Sequence, residues 1–241
     1  MTLLIACGLQ REASILAGPG VIAIPGGGDS ARLEAALEAQ ATSATMIVSA
    51  GIAGALDPSL MAGDIVVDLK PLPFRGGVGV GGPSLIETDA LGDGPHPNPS
   101  PEGEGLRAAL PHAHFGPIIG QDHIAVSIAE KAALAASGAL AVDMESHIAA
   151  RVAARHGLPF IAIRTISDTA YETLPPAALV GMNPDGSMAL GKVLVSLARQ
   201  PAQLPALIRT GRSAELAFKS LAEVHQKLAP LWARLLAQGS V

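Results

Sequence analysis

Glu145 and Asp168 stand in the stretch VDMESHIAARVAARHGLPFIAIRTISD (142–168), each at the end of a short apolar run that reads as a buried strand. Carboxylates delivered to one crevice by separate strands can divide the labour, one holding a hydroxyl and the other handling a proton. Between them, Ile148, Val152 and Ala153 recur on one face at helical spacing, with Arg151 and Arg155 on another, so 145–156 reads as a helix. Gly157 stops it and Pro159 opens the next strand. The unit is strand–helix–strand, and ligands of open α/β sheets sit beyond the carboxyl ends of such strands. The residue types alone leave a plainer alternative open. Glu145 can favour a helix N-terminus through the macrodipole, and Asp168 can cap the following turn.

Other elements must carry the rest of such a site. Thr2 to Cys7 reads as a first buried strand, with Cys7 a small buried hydrophobe, and it leads through Gly8-Leu9-Gln10-Arg11-Glu12 into a helix. Pro25-Gly26-Gly27-Gly28 follows a second strand but lacks G-x-G-x-x-G, so a tight turn before a helix at 29–42, capped by Asp29 and Ser30, is expected rather than a dinucleotide loop. Met46 to Ser49 is a core strand, and the small residues Gly51, Ala53 and Gly54 after it let backbone approach a sugar closely. Gly63 to Leu69 and Phe115 to Gly120 are further strands, the latter ending in Gln121-Asp122-His123. About 71–105 is rich in Gly and Pro and reads as a long irregular loop. His96, His112 and His114 have no carboxylate or cysteine at ligand spacing, so no metal is expected. A helix is expected from Asp185, or Gly186-Ser187, to about Arg199, followed by apolar-periodic segments at 201–209 and 212–237. The second segment is amphipathic and basic; packing on its own domain or on a second subunit is favoured over membrane contact, which stays open. One domain over 1–200 with a helical extension over 201–241 is the expected organisation.

Composition excludes several classes. The 241 residues suit one α/β domain with an ample core. The net charge of −5 argues against nucleic acid as the main partner. A single cysteine rules out an intrachain disulfide framework and fits a reducing cytosol. Gln10-Arg11-Glu12 interrupts the first apolar run too early for a signal peptide, so a cytoplasmic enzyme is expected. Charged residues at only 15% and a mean hydropathy of +0.40 point to subunit contacts or an apolar ligand. Aromatic residues at 2% leave few rings to stack on a base.

The blocks SAGIAGAL (49–56), GDIVV (63–67), AVDMES (141–146) and RTISD (164–168) resemble, in order and separation, those of the nucleoside phosphorylase and nucleosidase superfamily. In its methylthioadenosine/S-adenosylhomocysteine nucleosidase branch the runs resemble T-G-S-A-G-G, G-D-I-V-V, V-E-M-E and R-A-I-S-D. The likeness covers about Leu3 to Leu197, and LPPAALVGMNPDGS (174–187) with QPAQLPALIR (200–209) is most similar to the hopanoid-associated phosphorylases. The resemblance implies a three-layer α/β/α phosphorylase/hydrolase-like fold with a central mixed, partly barrel-like sheet, in a homodimer or higher homo-oligomer. It implies cleavage of the N-glycosidic bond of a 5′-substituted adenosine, such as adenosylhopane, releasing adenine. Carried over by motif, Asp168 would serve N7 of the base, oriented by Ser167, and Glu12 would activate water. Glu145 would hold ribose hydroxyls, with Met144 beside the sugar and Asp143, Gly51, Ile52 and Ile124 around the ligand. Phosphorolytic relatives carry an arginine where Ser49 stands and a hydroxyl residue where Ile52 stands, so the site leans towards water. Arg11, however, falls where another phosphate-binding arginine would, and phosphate as co-substrate stays open. No metal or redox cofactor is implied. A methylthioadenosine-type nucleosidase, a general purine nucleoside phosphorylase and a nucleoside sensor without turnover are the competing readings.

Overall fold

Alternation along the first strand sets the layers. In β1 (Thr2–Cys7), Leu3 and Ile5 point to one face of the sheet and Leu4 and Ala6 to the other, and both faces are buried. A strand covered on both sides needs a helical layer on each, as is usual for parallel strands. A computed structural model of the chain describes residues 2–69 and 101–238.

After β1 come α1 (Gln10–Leu16), β2 (Val21–Pro25), α2 (Ser30–Ala41), β3 (Ala44–Ala55) and β4 (Ile65–Asp68). There follow α3 (Pro101–Ala109), β5 (His114–Phe115), β6 (Ile118–Gly120), α4 (Ile128–Ala135), β7 (Ala141–Asp143), α5 (Ser146–His156) and β8 (Phe160–Asp168). The chain closes with α6 (Pro176–Leu179), α7 (Leu190–Arg199) and α8 (Leu204–Gln238). Among the described residues the sheet has eight strands, in the order β2-β1-β3-β8-β4-β5, with β7 and β6 branching from the far end of β3. β1, β2, β3 and β8 are mutually parallel where they pair, whereas β4 runs antiparallel to β8 and β7 antiparallel to β3. The expected three-layer α/β fold with a mixed central sheet is what the chain forms.

One face carries Leu33 and Leu37 of α2 with Ile148 and Val152 of α5. The other carries Leu221, Val224, Leu228 and Trp232 of α8 with Leu106 and Leu110. The four α8 residues recur at 3, 4 and 4, one stripe of a helix, and all are buried among Leu3, Ile5, Val48 and Ile163. Asp29 caps α2 by accepting from Arg32 N at 3.0 Å, as its residue type requires. Gly157 ends α5 at φ 63°, the left-handed conformation glycine tolerates.

Several boundaries differ from those read in the sequence: β3 runs on through Gly51, Ala53 and Gly54 to Ala55, and the strand expected over Phe115 to Gly120 is two, β5 and β6. The expected loop gives way to α3 from Pro101; the stretch 70–100, with His96, lies outside the described residues. After a 3-10 turn at Pro201–Gln203, the expected segments 201–209 and 212–237 merge into one helix from Leu204, because Pro205 falls in its first turn, where no amide partner is lost, and Gly211 costs only about 1 kcal/mol. The helix expected from 185 starts at Leu190 instead, since Ser187 bonds Asp185 Oδ1 through both its amide and its hydroxyl and keeps a turn there.

Truncating the α8 stripe leaves a cavity that the sheet cannot fill. Leu221→Ala is expected to lower unfolding stability by about 2–5 kcal/mol, read from urea midpoints.

Candidate active site

Strand ends deliver the acids. β8 ends on Asp168, β7 ends on Asp143, and Glu145 occupies the N-cap position of α5 two residues later. Glu12 comes from the first turn of α1, just beyond β1. All four are buried, and all four border one cavity of about 680 Å³. Arg11, Ile52, Ile124, Met144 and Ser167 also line it, and Gly51 sits directly behind Glu12.

Glu12 is held by backbone alone. Its Oε2 accepts from the amides of Gly8 and Leu9, each at 2.7 Å, and its Oε1 from the amide of Ile52 at 2.7 Å. Burial pushes its pKa up, while those amides and Arg164 pull it back. The approach demands glycine at 51, where a Cβ would stand 2.6 Å from Glu12 Oε1. Gly8 is under the same constraint from Glu145, whose Oε1 would lie 2.8 Å from a Cβ.

At the centre lies Arg164 of β8, fully buried. It donates through Nε to Asp143 Oδ2 at 2.6 Å and through Nη2 to Ser49 Oγ at 2.6 Å, and Nη2 lies 3.6 Å from Glu145 Oε2. Asp143 Oδ1 in turn accepts from the amides of Glu145 and Ser146, at 3.0 and 2.8 Å. The Asp143 carboxylate is thereby engaged by Arg164 and the start of α5, although the residue borders the cavity. Glu145 keeps the least compensated carboxyl. Burial, with Asp143 and Glu12 nearby, raises its pKa from 4.5 to about 8 against the pull of Arg164.

Asp168 has a different support. Ser167 Oγ donates to its Oδ1 at 2.7 Å, and Oδ2 is paired with the ammonium of Lys131. Lys131, on α4, is itself fully buried and also donates to the carbonyls of Thr169 (2.7 Å) and Glu172 (3.1 Å), so its three protons are all used. The sequence reading missed both Lys131 and Arg164. Arg164 stood inside a quoted motif, and a lysine in an apolar helical run could have been flagged only by its place on the buried face.

Arg11 sits on the rim. It forms a two-pronged ion pair with Glu215 of α8, one contact measuring 2.7 Å, and its guanidinium lies 4.1 Å over the Phe218 ring. His123 borders the cavity and faces Glu130, Nε2 to Oε1 at 3.1 Å. Among the described residues no cluster of three or more His, Cys, Asp or Glu side chains that could hold a metal occurs.

The family description "Phosphorylase superfamily" matches residues 14–199. Among solved structures, the chain is similar to the 5′-methylthioadenosine/S-adenosylhomocysteine nucleosidase of S. pneumoniae with the transition-state inhibitor MT-ImmA. The TM-score is 0.56 at 16% identity, covering 95% of this chain and 100% of that one. The corresponding nucleosidase of Colwellia psychrerythraea 34H in complex with adenine has a TM-score of 0.58 at 19% identity over 95% and 96% of the two chains. Futalosine hydrolase of Helicobacter pylori gives 0.55 at 17% identity over 95% and 98%. Identities this low establish likeness of fold. No curated protein sequence matches significantly.

Two outcomes follow from the buried charges. Lys131→Met leaves the Asp168 carboxylate buried without its cation and is expected to cost about 3–5 kcal/mol of stability by urea unfolding. Glu145 binds its proton more tightly folded than unfolded, so the stability it contributes is full below pH 4.5 and is lost as pH rises through about 8. Unfolding midpoints of the ligand-free protein are expected to fall across that window, and Glu145→Gln to flatten the fall, by up to about 1.4 kcal/mol per pH unit.

Proposed function

Because the chain belongs to the phosphorylase superfamily, we propose that it cleaves the N-glycosidic bond of a 5′-substituted adenosine and releases adenine, with water as the attacking group. The observation that carries this reading is the convergence of Glu12, Glu145 and Asp168 on one cavity. Water adds its oxygen to C1′ as the C1′–N9 bond breaks, and the electron pair of that bond leaves with adenine. Glu12 takes the proton of the water; burial raises its proton affinity and suits it to that task. Asp168 passes a proton to N7 as the base departs and is reprotonated from solvent once Glu12 has released the proton of the water, while Ser167 and Lys131 fix the carboxyl in direction. Glu145 holds ribose hydroxyls and faces the positive charge that develops on the sugar.

Water is favoured over phosphate because the cationic groups near the sugar end are already engaged. Arg164 is taken by Asp143 and Ser49, and Arg11 by Glu215. The base is expected to rest on Ile124 and Ala125 rather than on an aromatic ring. Beyond Met144 the walls are formed by Leu174, Ala178, Met182, Val193, Leu207 and Phe218. Such a wall suits a long apolar 5′ substituent, which supports adenosylhopane as substrate and ribosylhopane as product, ahead of a 5′-alkylthio or unsubstituted nucleoside.

Incubation with adenosylhopane or 5′-methylthioadenosine, with and without phosphate, and identification of the sugar product by mass tests each part. Adenine and a free sugar are expected in phosphate-free buffer, with the larger kcat/KM for adenosylhopane. Asp168→Asn is expected to slow release by about 10²–10⁴-fold while adenine analogues still bind. Strict phosphate dependence overturns water as nucleophile, and binding without release turns the reading towards a sensor.

A further inference from the structure

Acids dominate the wall of the cavity. Glu12, Asp143, Glu145, Asp168 and Glu215 all line it, and among the described residues Arg11 is the one lining side chain with a permanent positive charge. The two buried cations nearby stand behind that wall and are committed elsewhere. Arg164 is held by Asp143 and Ser49, and Lys131 by Asp168 and two carbonyls. An anion entering from solvent therefore has one partner to find, and Glu215 has already taken it.

The pair is built to hold. Both arms of the Arg11 fork meet the Glu215 carboxylate, Nη2 to Oε2 at 2.7 Å, in the bidentate geometry by which arginine also grips phosphate. The Phe218 ring lies 4.1 Å from the guanidinium and fixes its plane. Lys219, one turn along α8, adds its charge to the same carboxylate. Stability gives a weak reason for such a pair, because its side chains are 47% and 54% exposed and exposed ion pairs add little. Ligand selection gives a stronger one. Glu215 fills the fork that phosphate would need and adds its own negative charge to an acidic wall, so the anion is refused by competition and by repulsion together. Arg11 also stands one residue before Glu12, the acid assigned to the attacking water, so the anion refused is the one that would compete with water.

We propose that Glu215 selects water over phosphate, by holding Arg11 and keeping inorganic phosphate out of the cavity. With that carboxylate removed, the Arg11 fork is free to bind phosphate. An oxygen of the bound phosphate then adds to C1′ as the C1′–N9 bond breaks. The electron pair of that bond leaves with adenine, N7 takes its proton from Asp168, and the product is a sugar 1-phosphate in place of the free sugar. The chemical step rests on the function proposed above; the exclusion of phosphate does not.

Calorimetric titration of the full chain with inorganic phosphate tests it, on the wild type, Glu215→Gln, and Arg11→Met combined with Glu215→Gln. Glu215→Gln is expected to bind phosphate about tenfold or more tightly than the wild type, and the double variant to lose the gain. With 5′-methylthioadenosine and phosphate, the wild type is expected to yield free sugar alone and Glu215→Gln to yield sugar 1-phosphate as well. Equal affinity in the wild type and Glu215→Gln, or a gain that survives in the double variant, overturns the proposal. So does a lower thermal midpoint in Glu215→Gln with no gain in phosphate binding, which is what a mere tie between α1 and α8 would give. Phosphate bound by the variant with free sugar still the sole product overturns Glu215 as selector of the nucleophile. Absence of adenine release from every form sinks the catalytic reading alone, and the titration still decides whether Glu215 excludes phosphate.

Discussion

One buried guanidinium is the constraint on which the site depends. Glu12, Asp143 and Glu145 are taken out of water together, an arrangement that like-charge repulsion and desolvation both oppose. Arg164 stands among them. Burial works against its own charge, yet Asp143 and Glu145 hold its pKa above the ordinary value. Its contacts tie β8 to Asp143 at the end of β7 and to Ser49 in β3, so the electrostatic centre is also a joint between strands. The Asp143 carboxylate completes the joint by holding the first amides of α5, which sets where Glu145 emerges.

Around that centre the acids are compensated in three ways. Glu12 rests on three neutral amides, which favour its charged form without supplying a full countercharge. Asp168 faces a complete ammonium. Glu145 has a distant share of Arg164 and a backbone contact from Met144, and burial still raises its pKa to about 8.

Much of this was legible from spacing. The continuous apolar run of β1, the helix after Asp143 with its glycine stop, the Asp29 cap and the apolar run ending at Asp168 each follow from local chemistry, and each element formed. What escaped was long-range. The Lys131–Asp168 pair joins residues 37 apart in sequence, and nothing in the run around Lys131 distinguishes it from a lysine on a solvated face. The continuity of α8 was hidden by the gap at Thr210-Gly211, a weak break that falls inside the helix. Asp143 and Glu145 look interchangeable in the motif; only the fold assigns one to scaffolding and leaves the other facing the cavity.

The position of α8 in the chain also orders how the protein comes into being. The sheet face made of Leu3, Ile5, Val48 and Ile163 is covered by Leu221, Val224, Leu228 and Trp232, which come last among the core residues. During synthesis that greasy surface stands open after every described strand has been made, until α8 clears the ribosome. Folding of this sheet therefore waits on a closing step rather than growing outward from a finished core, and the waiting intermediate is the species that chaperones would have to shield.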